Sequence, residues 1–182
     1  MGILPEAMFN FLALLGWSPG EDRQRLSRAE MIELFSFEGI GRAGAMFDLQ
    51  KLLWLNGQYL SAMTGEELLL RVRPGLVEGG LWDDRYDGER RPWLLCVLEL
   101  LRARSRTLLD FTTDGRPFFS DDYPVDEDAA RKHLQAEGAR ERLAALAGAL
   151  DPVADWSPGS IEPVLRACAE SLGVAAAKLI HP

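Results

Sequence analysis

The sequence predicts an all-α fold, and three features carry that prediction. Helix-start signals recur: Ser27 with Glu30 and Thr64 with Glu67 read as S/T-x-x-E capping boxes, and Asp48 and Asp126 stand where N-caps would. Glycines and prolines punctuate the chain at helix-length intervals. No segment alternates β-branched and polar residues with the period of two that a half-buried strand requires, and no internal repeat is present.

Taken in order, Pro5 suits a first helical position, and "EAMFNFLALLG" follows with apolar residues on nearly every face. That is a buried helix stopped by Gly16. Behind the Ser27–Glu30 box, Met31, Ile32, Leu34 and Phe35 supply the stripe of a second helix. Asp48 caps "LQKLLWLN", which Asn56-Gly57 can end through a left-handed residue. Thr64 starts a helix that Pro74 should stop. "WDDRYDGERRP" is a polar loop, and "WLLCVLELLRARSRTLLDF" reads as one apolar helix that turns basic toward its C-terminus, as the helix dipole favours. "TTDGRPFFSDDYP" is turn-rich and separates two helical subdomains, with the division placed at 1–112 and 113–182. Beyond it come "EDAARKHLQ" behind Asp126, "ARERLAALAGAL", a linker over 152–160, a helix from Ile161 to Leu172 stopped by Gly173, and a last turn in "VAAAKLI".

Composition bounds the function. With 182 residues, 47% apolar and 26% charged, the chain describes a soluble globular protein, and its apolar runs are too short and too broken to span a membrane. The N-terminus lacks the basic region of a signal peptide. Cys96 and Cys168 form no spaced set and read as reduced core thiols; His133 and His181 stand alone, so no metal site is expected. No Ser/His/Asp set, facing carboxylate pair or activated cysteine suggests catalysis. A net charge of −8 argues against indiscriminate polyanion binding. Between positions 85 and 106, however, six arginines (85, 90, 91, 102, 104, 106) outnumber three acids (Asp87, Glu89, Glu99), so a basic face on an acidic body is available.

"FEGIGRAGAMFD" holds a literal G-x-G-x-x-G at Gly39, Gly41 and Gly44. A dinucleotide fingerprint needs a strand before those glycines inside a βαβ unit. A capped helix precedes them here, which sets the Rossmann reading aside.

Four segments in order, "GILPEAMFNFLALLGWSPG", "FDLQKLLWLNGQYL", "DYPVDEDAARK" and "SLGVAAAKLIHP", resemble the C-terminal half of bacterial-type glutamyl-tRNA synthetase, and the likeness runs along essentially the whole chain. The resemblance implies an all-α helical bundle of two subdomains, a tRNA stem-contact module followed by an anticodon-binding module, truncated before the family's last helical stretch. It implies a part without catalysis of its own. The family's H-I-G-H-type and K-(M/I)-S-K-type motifs are absent, so ATP and Mg²⁺ would serve the parent enzyme and no cofactor is expected here. The implied partner is a glutamate-accepting tRNA, with no DNA and no membrane, and the implied setting is a cytoplasmic monomer. The alternative is a helical protein-interaction module that ignores RNA.

By the same resemblance, the glycine segment stands where the family has a loop near "RVSKSPAVFD"; Gly39 replaces the common Arg and Gly41-Arg42-Ala43 stands for Ser-Lys-Ser. Arg42 is a candidate phosphate contact. On the "KLLWLNGQY" motif, Lys51, Asn56 and Gln58 are candidates for RNA phosphate or sugar, whereas Trp54 and Tyr59 at helical spacing are expected in the core. Arg102, Arg104 and Arg106 are candidates for tRNA contact; they cannot share one face of a regular helix but can fan around its end. Arg104 occupies the position that the resemblance assigns to the third anticodon base.

Overall fold

The computed structural model describes residues 2–20, 23–41 and 44–180. Within them lie α1 (Pro5–Gly16), α2 (Arg28–Leu34), α3 (Leu49–Ala62), α4 (Gly65–Glu78), α5 (Arg91–Arg102), the short α6 (Glu127–Ala129) running into a π turn over Ala130–Leu134, α7 (Ala139–Leu150), α8 (Pro158–Ser171) and α9 (Ala177–Ile180). Single 3₁₀ turns cover Asp84–Asp87, Leu109–Phe111 and Arg116–Phe118. No strand occurs among the described residues; Trp17 and Ile40 form an isolated antiparallel bridge. The fold is all-α.

The helices start where local chemistry says they should. Ser27 Oγ accepts from the Glu30 N–H at 3.2 Å while the Glu30 carboxylate accepts from the Ser27 N–H at 2.8 Å. Thr64 and Glu67 repeat the arrangement at α4, and Asp48 accepts from the N–H groups of Gln50 and Lys51 at α3. Each bond satisfies one of the amides that a helix N-terminus leaves open.

The ends are set by packing, and there the sequence expectations need correcting. α3 continues through Asn56-Gly57 to Ala62, because Leu55, Asn56 and Leu60 bury one continuous stripe. α4 passes Pro74 and ends at Glu78. The missing amide costs one bond, but Val72 and Leu76 on either side of Pro74 are fully enclosed. α5 stops at Arg102 and does not run on to Phe111. Beyond it Asp110 captures the Arg106 and Thr107 N–H groups at 2.7 and 3.0 Å, which a continuing helix would need for itself.

The chain divides into two compact units, Met1–Tyr123 and Pro124–Pro182. In the first, Leu4, Ala7, Leu60, Leu68, Val72, Leu76, Leu94, Leu98 and Phe111 form the main core. In the second, α7, α8 and α9 close around Cys168, Ala169 and Leu179. Cys96, expected in the core, is exposed: the buried stripe of α5 is Leu94, Val97 and Leu98, which turns position 96 outward.

The caps make stability pH-dependent. The backbone N–H of Ser27 holds the Glu30 carboxyl below its ordinary value, and that of Thr64 does the same for Glu67. The Arg85 guanidinium, followed by the Arg85 N–H, holds Asp83 at about 2. A carboxyl with a depressed folded-state value stabilises the fold above its unfolded value and loses that contribution as pH falls through the folded one. The urea midpoint of the chain should therefore fall between neutral pH and about pH 3. Glu67→Gln should lower the midpoint at neutral pH, and its curve should meet that of the unaltered chain in acid. Parallel curves would mean that the cap carries no linkage.

Candidate functional site

The loop after α5 alternates inside and outside: Ser105 and Thr107 are buried, whereas Arg104 and Arg106 are exposed. Ser105 Oγ donates to the Leu101 carbonyl at 3.0 Å, and Thr107 Oγ1 donates to Asp110 at 2.5 Å. The two buried hydroxyls fix the register, so Arg104 and Arg106, which alternate with them, are turned outward.

A second tie holds the loop from α3. Asn56 is fully enclosed; its Oδ1 accepts from the Leu4 N–H at 2.8 Å and its Nδ2 donates to the Arg106 carbonyl at 2.5 Å. That corrects the expectation of an RNA contact, since both ends of the carboxamide are spent on backbone inside the protein. The Leu108 N–H donates to the Gly2 carbonyl at 2.8 Å. Gly2 adopts φ +64°, and a Cβ there would lie 2.7 Å from the Leu109 nitrogen, so only glycine fits.

The arginines then sort by what they already hold. Arg85 pairs with Asp83 at 2.5 Å, and Arg73 pairs with Asp87 at 2.8 Å. Arg90 lies 4.2 Å over the Trp93 ring, and Arg91 pairs with Glu66. Arg102, only 21% exposed, pairs with Glu99 and donates to the Met63 carbonyl. It is a cross-link between the ends of α3 and α5, which corrects its assignment to an RNA-facing fan. Arg104 and Arg106 take part in no ion pair among the described residues. Most of the basic run is consumed internally.

Beside the loop, α3 presents an outward stripe. Its buried residues Leu52, Leu55, Asn56 and Leu60 turn Lys51, Trp54 and Gln58, spaced by three and four, onto one solvent face. Trp54, expected in the core, is 43% exposed. Tyr59 turns the other way; its hydroxyl donates to the Leu26 carbonyl at 2.6 Å. Gly57 faces the loop directly, since a Cβ there would sit 3.8 Å from the Arg106 Cα. The structure thus sets Gly57, on the same helix as Lys51, Trp54 and Gln58, against Arg106.

The glycine segment has a structural job. The Ser18 N–H donates to the Gly39 carbonyl and the Gly41 N–H to the Gly16 carbonyl, each at 2.9 Å, clasping the end of α1. A Cβ on Gly39 would lie 2.5 Å from the Ser18 oxygen. Arg42, the candidate phosphate contact in this segment, lies outside the described residues. Sequence reasoning missed Asp110 and Asn56 as the two ties of the site. The signal for Asp110 was present: an Asp three residues after a Thr, inside an otherwise helical pattern.

On one all-helical scaffold, Arg104 and Arg106 stand on the loop after α5 with no ion pair among the described residues, and Lys51, Trp54 and Gln58 share an outward face of α3. Comparison with known families identifies the scaffold. Residues 67–182 match the family described as "Anticodon binding domain", and the chain belongs to that family. It is 34% identical over 183 residues to a glutamate–tRNA ligase of Desulforudis audaxviator, covering 100% of this chain and 36% of that protein. It is 39% identical over 181 residues to glutamate–tRNA ligase 2 of Koribacter versatilis, covering 99% and 37%. Among solved structures, a glutamate tRNA ligase from Elizabethkingia meningosepticum, in complex with its amino acid, superposes with a TM-score of 0.78 at 30% identity, over 98% of this chain and 34% of that one. The chain spans a little over a third of the length of these relatives. No helix among the described residues is long and apolar enough to cross a membrane.

Asn56→Ala should destabilise the fold by about 1–3 kcal/mol for each backbone group it orphans, the Leu4 N–H and the Arg106 carbonyl. Chemical denaturation followed by circular dichroism reads this directly. Asn56→Asp keeps the acceptor for Leu4 and loses the donor for Arg106. A change within about 0.5 kcal/mol for Asn56→Ala would show that the two ties are not limiting.

Proposed function

We propose that this chain is the tRNA-recognition part of a glutamate–tRNA ligase, the enzyme class that attaches glutamate to its tRNA for translation. Residues 1–112 hold the stem-contact module and the start of the anticodon-binding module, and 113–182 hold the remainder. In this reading the chain works in the cytoplasm as a monomer and has no catalysis of its own; ATP and Mg²⁺ act elsewhere in the longer enzyme. What supports the reading, beyond family membership, is one observation: within the basic run from 85 to 106, where Arg85, Arg91 and Arg102 are held in ion pairs, Arg104 and Arg106 stand on a tied loop with no ion pair among the described residues.

The roles follow from chemistry. Arg106 and Lys51 meet phosphates as cations, Gln58 bonds sugar or phosphate, and Trp54 offers a face on which an unstacked base or ribose can rest. Arg104 reads the third anticodon base. Glutamate and glutamine tRNAs differ there, C in one and G in the other. Cytosine offers N3 and O2 acceptors on its pairing edge, whereas guanine offers N1 and N2 donors. An arginine is a pure donor and suits the first.

Binding of a glutamate tRNA to the 182-residue chain should be weak and steeply salt-dependent. Lys51→Ala and Arg106→Gln should each flatten the slope of log affinity against log salt by roughly 0.7–0.9, as loss of one phosphate contact does. Arg104→Gln should instead narrow the preference for glutamate over glutamine tRNA, a difference worth on the order of 1–3 kcal/mol. Arg91→Gln, whose native side chain is already paired with Glu66, serves as the control and should do little. If all three site variants bound as tightly as the parent while Arg91→Gln did not, the site would lie elsewhere on the chain; absence of any tRNA binding would favour the protein-interaction alternative.

A further inference from the structure

Every backbone N–H from Arg104 to Leu108 is bonded, and all but the last find their acceptor close by in the sequence. The Arg104 and Ser105 N–H groups donate to the Leu101 carbonyl at 2.9 and 3.0 Å, and those of Arg106 and Thr107 donate to Asp110. Leu108 differs. Its N–H donates at 2.8 Å to the carbonyl of Gly2, ahead of α1. The Arg106 carbonyl is also held from outside the loop, by Asn56 Nδ2, and the Oδ1 of that carboxamide accepts from the Leu4 N–H. Both outside ties of the loop therefore end on the segment Gly2–Leu4.

The order of these ties defines what the segment does. Gly2 meets Leu108 directly and Leu4 meets Arg106 through Asn56, so the pairing runs in opposite directions along the two stretches, as in an antiparallel pair with a carboxamide for its second rung. Leu4 is fully enclosed and stands at the N-cap of α1, which anchors one end of the segment in the core. Gly2 is the other end. Its left-handed backbone leaves no room for a side chain, because a Cβ there would lie 2.9 Å from the very Leu108 nitrogen that its carbonyl holds. Gly2 has no side chain with which to grip a ligand, so its influence on a ligand of the loop passes through the Leu108 amide.

We propose that Gly2 is a positioning residue for the tRNA-facing loop, acting through Leu108, and that RNA held on the loop is coupled in return to the chain as it enters α1. The inference rests on the tRNA-binding reading above and adds to it a second element that sets the loop. Coupling between binding free energies is reciprocal. If the segment holds the loop in the form that RNA prefers, RNA on the loop must hold the segment more firmly, and the Leu4 amide reports it.

The test compares Gly2→Ala with Gly80→Ala in the 182-residue chain. Gly80 is also left-handed, at φ +66°, but nothing lies within 4 Å of a Cβ there, so its variant carries the backbone strain without crowding the loop. Affinity for a glutamate tRNA at low salt should fall about three- to tenfold in Gly2→Ala and by less than about twofold in Gly80→Ala. Amide exchange followed by NMR in the free chains should quicken at Arg106, Thr107 and Leu108 in Gly2→Ala alone. The amides of α7 and α8 should keep their rates, which separates a displaced loop from general unfolding. In the unaltered chain, added tRNA should slow exchange of the Leu4 amide, whose partner Asn56 is fully enclosed. That response is read without any substitution, so it decides even if Gly2→Ala fails to fold. A Leu4 amide indifferent to bound tRNA overturns the inference, as does a folded Gly2→Ala chain that binds as tightly as Gly80→Ala; either result leaves the tRNA reading standing. Failure of the unaltered chain to bind tRNA sinks both.

Discussion

Asn56 is the constraint on which the first unit depends. One enclosed carboxamide accepts from the Leu4 amide ahead of α1 and donates to the Arg106 carbonyl beyond α5. Three stretches remote in sequence are thereby set at hydrogen-bond precision by a single side chain on α3. A buried amide with both ends satisfied is stabilising, and one left half-satisfied is costly. The same bond that orders the core therefore sets the height at which Arg106 leaves the protein. Asp110 fixes the loop from its other side, so the backbone that carries Arg106 is held before any partner arrives. Preorganisation of this kind lowers the ordering cost of binding.

The charge pattern gains meaning from the same geometry. A net charge of −8 opposes a long-range pull on nucleic acid. Within the basic stretch the acids Asp83, Glu66 and Glu99 take Arg85, Arg91 and Arg102 out of circulation. Recognition by such a surface rests on a few unpaired groups in fixed places rather than on a broad positive field. That favours selectivity over affinity, which suits the proposed role of choosing among similar RNAs.

The sequence made the local structure legible and left the non-local structure hidden. Ser27–Glu30, Asp48 and Thr64–Glu67 announced their helices correctly because an N-cap acts within four residues of itself. Pro74 and Gly57 misled for the opposite reason. Whether a helix survives a proline or a glycine depends on what its flanks bury, and Val72, Leu76 and Leu60 answer that only in three dimensions. Arg102 and Arg104 look alike in the sequence. They part only when Met63 and Glu99 arrive beside one and not the other. Asn56 carried a motif resemblance that suggested contact with RNA, and its burial against Leu4 could not be foreseen from α3 alone. Trp54 was misplaced because helical spacing does not say which face of α3 is the buried one.

Hydrogen–deuterium exchange of the 182-residue chain, with and without a glutamate tRNA at low salt, tests the central claim most directly. In the free protein the amides of Leu4, Arg106 and Thr107, held by Asn56 and Asp110, should already exchange slowly. Added tRNA should deepen protection over the loop from Arg104 to Leu108 and over the outward residues of α3. It should leave α2 as it was. Fast exchange of that loop in the free protein, or tRNA protection centred instead on the exposed Ile32 and Phe35 at α2, would contradict the account.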